Sequence, residues 1–303
     1  MLVDREVLES VFGVLAQAHY RNSPDELLVI LDSPHHSTHI LRHEGVIVAV
    51  ADVVEESGKV EEAARIGLEK LKLMAGPYWE NLSSFRVSRI AVHPELQGRG
   101  LGSKLLAAIE EWARSRGADV VTTIFSRHDV IGFWLRNGYI PYYVSPRYNR
   151  VTGEKNIAMA KPLSRKGERV VGEASKTLTL RLLLAAPSVY RDLAAEKMAS
   201  LLRSTSRASF RAELLPSQRM ALEKYLRGEL DLEQVMDVVL IETIRVIAGE
   251  RPIPLEDTEL VAVIARVVQG KPLNEVASII GESMEEAMRI VDRALKRLLR
   301  SNH

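Results

Sequence analysis

The chain has 303 residues, 46% hydrophobic and 27% charged, which is ample apolar material for about two domains and excludes wholesale disorder. It contains no cysteine, so disulfides, thiolate metal sites and a thiol nucleophile are excluded. The net charge of +1 conceals a division: residues 1–163 balance to −1, residues 164–227 to +7 and residues 228–303 to −5. A basic middle segment suits either a polyanion or a solvated helical face. Apolar runs such as Val46–Val54 fall far short of the ~20 residues a membrane span needs. The opening Met1-Leu2-Val3-Asp4-Arg5-Glu6 is charged at once and does not read as a signal peptide. A soluble, cytoplasmic protein with no membrane partner is expected.

In chain order, Glu6–His19 has a helical spacing of apolar residues at Leu8, Val11, Leu15 and Ala18. Ser23 and Pro24 then suit the cap and first position of a short helix through Leu27, Leu28 and Leu31. Ser37–Arg42 and Val46–Val54, joined by His43-Glu44-Gly45, read as a hairpin. Val60–Leu73 is predicted helical, Phe85–Val92 a strand, Leu101–Arg116 an amphipathic helix and Val120–Phe125 a strand. Asp129–Asn137 reads as a short helix stopped by Gly138, with Tyr139–Val144 and Asn156–Lys161 as the last strands. Pro162-Leu163-Ser164 changes the texture, and from Lys176 onward the periodicity is helical, broken at Pro187, Pro216, Gly228, Pro252-Ile253-Pro254 and Gly270-Lys271-Pro272. These signals divide the chain into an α/β domain, residues 1–163, and an all-helical C-terminal domain, residues 164–303.

The informative stretch is Arg89-Ile90-Ala91-Val92-His93-Pro94-Glu95-Leu96-Gln97-Gly98-Arg99-Gly100-Leu101-Gly102-Ser103. A strand enters a loop with three glycines in five residues, and a helix starts immediately. The first N–H groups of a helix have no internal partners, its dipole favours negative charge there, and glycines let a diphosphate approach closely. Taken alone, this is equally a tight strand-to-helix turn with nothing bound. It lacks the leading glycine of a dinucleotide fingerprint, and no Gly-x-x-x-x-Gly-Lys-Ser/Thr occurs anywhere in the chain.

Gln97-x-x-Gly100-x-Gly102 after a strand resembles the acetyl-CoA loop of the GCN5-related N-acetyltransferase family. That resemblance implies a mixed central sheet flanked by helices and acetyl-CoA as cosubstrate. It implies a splayed strand on which Ile90, Ala91 and Val92 border the cofactor, with the Val92 N–H available to developing negative charge. Gln97, Gly98, Arg99, Gly100, Leu101, Gly102 and Ser103 would hold the diphosphate, with Asp129 and Arg136 facing the cofactor from the next helix. For Asp129, helix capping explains the residue equally well.

Further segments narrow the likeness: Ala18-His19-Tyr20-Arg21-Asn22-Ser23-Pro24-Asp25-Glu26-Leu27, Phe133-Trp134-Leu135-Arg136-Asn137-Gly138-Tyr139, and Thr152-Gly153-Glu154. Together they resemble the acetyltransferase portion of the RNA cytidine acetyltransferases, which acetylate N4 of cytidine in RNA, here tRNA. Two departures stand out. Met74-Ala75-Gly76-Pro77-Tyr78-Trp79 replaces the family's Gly-His motif, and there is no ATP loop. The family's helicase-like module is therefore either a separate subunit or part of a longer protein from which this chain comes, and ATP coupling is not expected of the chain itself.

Cytidine N4 is a poor nucleophile that must lose a proton, which favours a group titrating near neutrality. The resemblance brings His19 and Tyr20 to the substrate side, His19 as base and Tyr20 as proton donor or orienting hydroxyl; residue reading alone makes them helix-end packing. His93 is the second candidate base. His35, His36, His39 and His43 read as surface histidines rather than metal ligands, and no metal is expected. Tyr142, Tyr143 and Tyr148 with Arg147 and Arg150 form either a base-stacking platform or ordinary strand packing. In the tail, Arg165, Lys166, Arg169, Arg181, Arg203, Arg207, Arg211, Arg219 and Arg227 suit phosphate contacts. Leu273–Ile280 and Ser283–Leu299 read as a packed helical hairpin, since Glu285 and Glu286 would repel phosphate. Two alternatives stay open: a protein or small-molecule amine as acceptor, and a catalytically silent RNA-binding scaffold.

Overall fold

The computed structural model describes residues 5–18, 33–56, 66–79 and 81–300. The chain forms two compact units, Met1–Tyr143 with Asn156–Ala174, and Val144–Lys155 with Ser175–His303. Its elements run α1 (Arg5–Ala18), β1 (His36–His43), β2 (Val46–Glu55), α2 (Ile66–Ala75), β3 (Ser84–Val92), α3 (Leu101–Ser115), β4 (Val120–Phe125), α4 (Ile131–Arg136), β5 (Ile140–Tyr148), β6 (Lys155–Pro162) and α5 (Arg165–Leu184). The helices α6 (Ala195–Ser204), α7 (Pro216–Arg227), α8 (Met236–Ala248), α9 (Asp257–Val263), α10 (Leu273–Ile280) and α11 (Met284–Arg300) follow. The predicted short helix through Leu27 lies outside the described residues, as do residues 60–65 of the predicted Val60–Leu73 helix.

The six strands are ordered β1-β2-β3-β4-β6-β5, with β1/β2, β2/β3 and β4/β6 antiparallel and β3/β4 parallel. Alternation gives the sheet two apolar faces. Val11, Val14 and Leu15 of α1 pack on Ile47, Val50 and Ala91. On the other face, Trp112 of α3 meets Phe85 and His39 edge-on at 4.8 and 4.6 Å. Glu44 and Gly45 between β1 and β2 both take positive φ, 50° and 83°, the tight turn whose twist matches the flanking strands.

Sequence and structure part company at Ser164. The helix expected from Lys176 starts at Arg165 and runs unbroken to Leu184. Ser164 is its cap: its hydroxyl accepts from the Gly167 N–H at 3.1 Å and donates to Asp119 at 2.6 Å. A Cβ on Gly167 would stand 2.1 Å from the Asp119 carbonyl, so the bare backbone lets this helix lie on the α3–β4 junction. The predicted Asp129–Asn137 helix is a 3-10 turn, His128–Val130, followed by the shorter α4. Gly138 at φ 81° ends it as expected.

From Arg165 to Arg300 every regular element among the described residues is helical. In the second unit, α11 buries Ala287, Ile290, Val291, Ala294, Leu295, Leu298 and Leu299, one continuous stripe at helical spacing. Fully buried Gln269 donates to the carbonyls of Tyr190 at 3.0 Å and Leu193 at 2.7 Å. No helix among the described residues is long and apolar enough to cross a membrane.

Candidate active site

The site begins with a strand that loses its neighbour. Strand β3 pairs with β4 only from Ser84↔Val120 to Val87↔Thr123, although β3 continues to Val92. The cause is local. Across β2/β3, Asp52 faces Arg89 and Val53 faces Val87, leaving Ser88 as an extra residue, and such a bulge bends its strand. Beyond it, the His93 N–H bonds the Val48 carbonyl at 2.9 Å. By alternation Ala91 also turns its backbone groups to β2, whereas Ile90 and Val92 turn theirs to the side β4 has left. The Val92 carbonyl on that side accepts from Gln97 Nε2 at 3.1 Å, which ties the loop back to the strand.

The loop then meets α3. Gly98 and Gly100 have φ of 75° and 79°, values disfavoured for side-chain-bearing residues. Gly102 meets a different constraint: a Cβ there would lie 3.2 Å from Phe133 and 3.5 Å from Val92 Cγ2. From Gly98 to Ser103, six consecutive backbone N–H groups have no acceptor among the described residues. Gly100 offers no capping side chain, and the first turn of α3 holds no acidic residue. Unsatisfied donors of this kind at the positive end of a 15-residue helix form an anion cradle. Exposed Arg99 and Lys104 add positive charge beside it.

Helix α4 supplies the neighbouring wall. The Arg136 guanidinium folds back against Gly132, whose Cβ would meet Nη1 at 3.1 Å. Asp129 stands inside the 3-10 turn, and its carboxylate takes two hydrogen bonds from Arg127, at 2.5 and 3.1 Å. Buried Trp134 holds this helix in an aromatic cluster with Phe125, Phe133 and Tyr139.

His19 and Tyr20 lie outside the described residues. His93 precedes the 3-10 turn Pro94–Leu96, where its backbone bonds Val48 and Leu96. Two of the histidines read as surface groups are structural instead. His36 Nδ1 lies 2.9 Å from the carboxylate of buried Asp52, which also accepts from the Ser88 hydroxyl. His39 packs on Trp112, and burial pulls its pKa below the ordinary imidazole value despite the opposing charge of Asp52. Tyr142 cannot stack on anything in solvent, because it is fully buried with its hydroxyl on the Gly67 carbonyl at 3.0 Å. The Ser88–Asp52–His36 chain at the root of the gap escaped sequence reading, since a bulge is a property of strand register.

The tail arginines divide in two. Arg203 donates to the Leu255 carbonyl at 2.6 Å and Arg207 to that of Ile247 at 3.1 Å, while Arg227 pairs with Glu229. Lys166 bonds Asn81 and Asp119 within the first unit. These side chains serve the fold. Exposed Arg165, Arg169, Arg211 and Arg219, and half-buried Arg181, make no side-chain hydrogen bond or ion pair among the described residues.

Residues 8–139, which hold the gap, the cradle and α4, match the acetyltransferase (GNAT) family. They are a GNAT domain. The GNAT domain and the helices after it are together 54% identical to the tRNA(Met) cytidine acetyltransferase TmcA of Aeropyrum pernix, over 98% of this chain and 42% of that protein. The corresponding protein of Thermofilum pendens is 32% identical over 94% of this chain and 38% of its own length. That of Saccharolobus solfataricus, TmcA 2, is 29% identical over 98% and 40%. The chain thus spans about two fifths of the curated relatives it matches.

Proposed function

We propose that this chain transfers an acetyl group from acetyl-CoA to N4 of cytidine in tRNA. The division of labour places acetyl transfer in residues 1–163 and RNA holding in the helical residues 164–303. The observation that carries the transfer is the opening between β3 and β4 at Val92, leading to six unpaired amides between Gly98 and Ser103. Support for cytidine as acceptor comes from the 54% identity to a tRNA(Met) cytidine acetyltransferase across nearly the whole chain. The open strand edge favours catalysis over a silent scaffold.

The residues suit the cosubstrate chemically. Acetyl-CoA supplies an acyl group activated as a thioester. The amides of Gly98, Arg99, Gly100, Leu101, Gly102 and Ser103 bind its diphosphate, with Arg99 and Arg136 adding charge and Gln97 fixing the loop to β3. Val92 N–H, turned into the gap from between Ile90 and Ala91 on one side and the loop on the other, donates to oxygen as it gains negative charge. His19 takes the proton that N4 must release, and Tyr20 orients the base. Asp129 acts through Arg127, setting the turn that leads into α4. Arg165, Arg169, Arg181, Arg211 and Arg219 hold phosphates, and a helicase-like partner assists access to the RNA.

Incubation with acetyl-CoA and transcribed tRNA, followed by nucleoside mass spectrometry, tests this. N4-acetylcytidine is expected from the native chain, with at least about a hundredfold loss for His19→Ala, the usual scale for removing a positioned proton acceptor. Label found only on protein lysines or free amines rejects cytidine as acceptor. Unchanged turnover in both His19→Ala and Tyr20→Phe removes that pair from the mechanism.

A further inference from the structure

The tip of the β5–β6 hairpin, Val144–Lys155, is part of the second unit. Asn149 builds it. Its side-chain oxygen accepts from the N–H groups of Val151 at 2.9 Å and Thr152 at 3.4 Å. Its own N–H donates to the Glu154 carbonyl at 2.8 Å, and Gly153 at φ 70° donates to the Asn149 carbonyl at 2.9 Å. The turn is therefore internally cross-tied rather than a loose loop.

Tyr148 stands at the base of this turn with 47% of its surface exposed, an unusual state for a large ring that is also tightly held. Its hydroxyl donates to Asp192 at 3.1 Å. The ammonium of Lys155, itself buried, lies over one ring face 4.2 Å from the centroid and donates to the Pro146 carbonyl at 2.8 Å. One face is thus covered by a cation and one edge is tied, which leaves the opposite face to solvent in a fixed orientation. The rotamer entropy that stacking would otherwise cost is already spent in folding. Arg147 and Arg150, one and two residues from Tyr148 in the chain, are exposed, with no side-chain hydrogen bond or ion pair among the described residues.

A firmly held, half-exposed ring with two uncommitted arginines close to it in the chain matches an unpaired nucleotide, which offers a π-face and phosphates together. A duplex presents the phosphates but keeps its base faces stacked. A protein partner would find little apolar area, since Val151 is the large apolar neighbour exposed at the tip. We propose that Tyr148 is a stacking platform for one unpaired RNA base, with Arg147 and Arg150 holding the adjoining phosphates. This rests on RNA as the acceptor and names the surface that receives an unpaired segment of it.

The test uses the full chain and a short fluorescent single-stranded oligoribonucleotide, titrated at several salt concentrations, beside a duplex of equal length. Tyr148→Ala is expected to weaken single-strand binding about tenfold at every salt concentration, while Tyr148→Trp and Tyr148→Phe retain it. Arg147→Gln and Arg150→Gln should each lower the salt slope by about one, which Tyr148→Ala does not do. Duplex binding should ignore Tyr148→Ala. Nucleoside mass spectrometry on tRNA runs in parallel. If the native chain acetylates cytidine but Tyr148→Ala binds single strands within about twofold of native, or weakens duplex and single strand alike, the platform is overturned and the acceptor stands. If binding depends on Tyr148 but no acetylcytidine forms, the acceptor falls and the platform stands. A native chain that neither binds nor modifies RNA overturns both.

Discussion

The start of α3 and the core of the helical unit treat polar groups in opposite ways. At α3, six amides in a row are left without acceptors, and the cap position is a glycine. In the helical unit most such needs are met internally, although Gln269 Oε1, Thr243 Oγ1 and Arg203 Nε have no partner among the described residues. Ser283 accepts from the Glu286 N–H, Glu259 accepts from the Glu256 N–H at the start of α9, and Gln269 serves two carbonyls while Arg203 and Arg207 each serve one. The amides at α3 belong to exposed or half-buried residues, so they are donors that folding leaves unused rather than buried groups bearing a desolvation penalty. The guanidiniums follow the same rule. Those bonded to carbonyls are structural, and those with no partner are the ones available to phosphate.

Substitutions at the two places should therefore dissociate stability from binding. The largest effect is expected for Gln269→Leu, which removes the donor to the Tyr190 and Leu193 carbonyls. It should lower stability by about 2 kcal/mol in denaturant titration, with acetyl-CoA affinity by calorimetry unchanged. Gly100→Val should lose binding as well. A β-branched residue at φ 79° costs about 1–2 kcal/mol of stability and displaces the loop amides, so acetyl-CoA should also bind about tenfold more weakly, a loss that Gln269→Leu does not show. Equal loss of stability and binding in both variants would erase the contrast.

The smallest effect concerns His39. Burial depresses its folded pKa, so between that value and about 6.5 the unfolded chain binds the extra proton and the fold loses stability as pH falls. His39→Phe removes this loss. The variant's melting temperature should gain on the native chain by up to about 2 °C as pH is lowered from neutrality, and a constant offset at all pH values would refute the assignment.

Much of the cradle was legible because its requirements are local. Gln97, Gly98, Gly100 and Gly102 follow a strand and precede a helix, and each is explained within a few residues by φ, by a hydrogen bond to Val92 or by the ring of Phe133. Tyr142 and Tyr148 show the limit. Both are tyrosines on one strand, yet one is sealed against Gly67 and the other faces solvent. Likewise nothing in the spacing separates Arg203 and Arg207 from Arg211 and Arg219, because the carbonyls that engage the first two come from Leu255 and Ile247, 40 residues or more away.

By itself, the sequence determined the element types of the α/β half, the glycine loop and the amphipathic tail, since periodicity, capping and turn chemistry act over a few residues. The tertiary structure alone decided where β3 leaves β4, that Ser164 caps a helix running from Arg165, and which arginines remain unpaired. Those outcomes depend on strand register and on partners distant in the chain, and neither is written in local spacing.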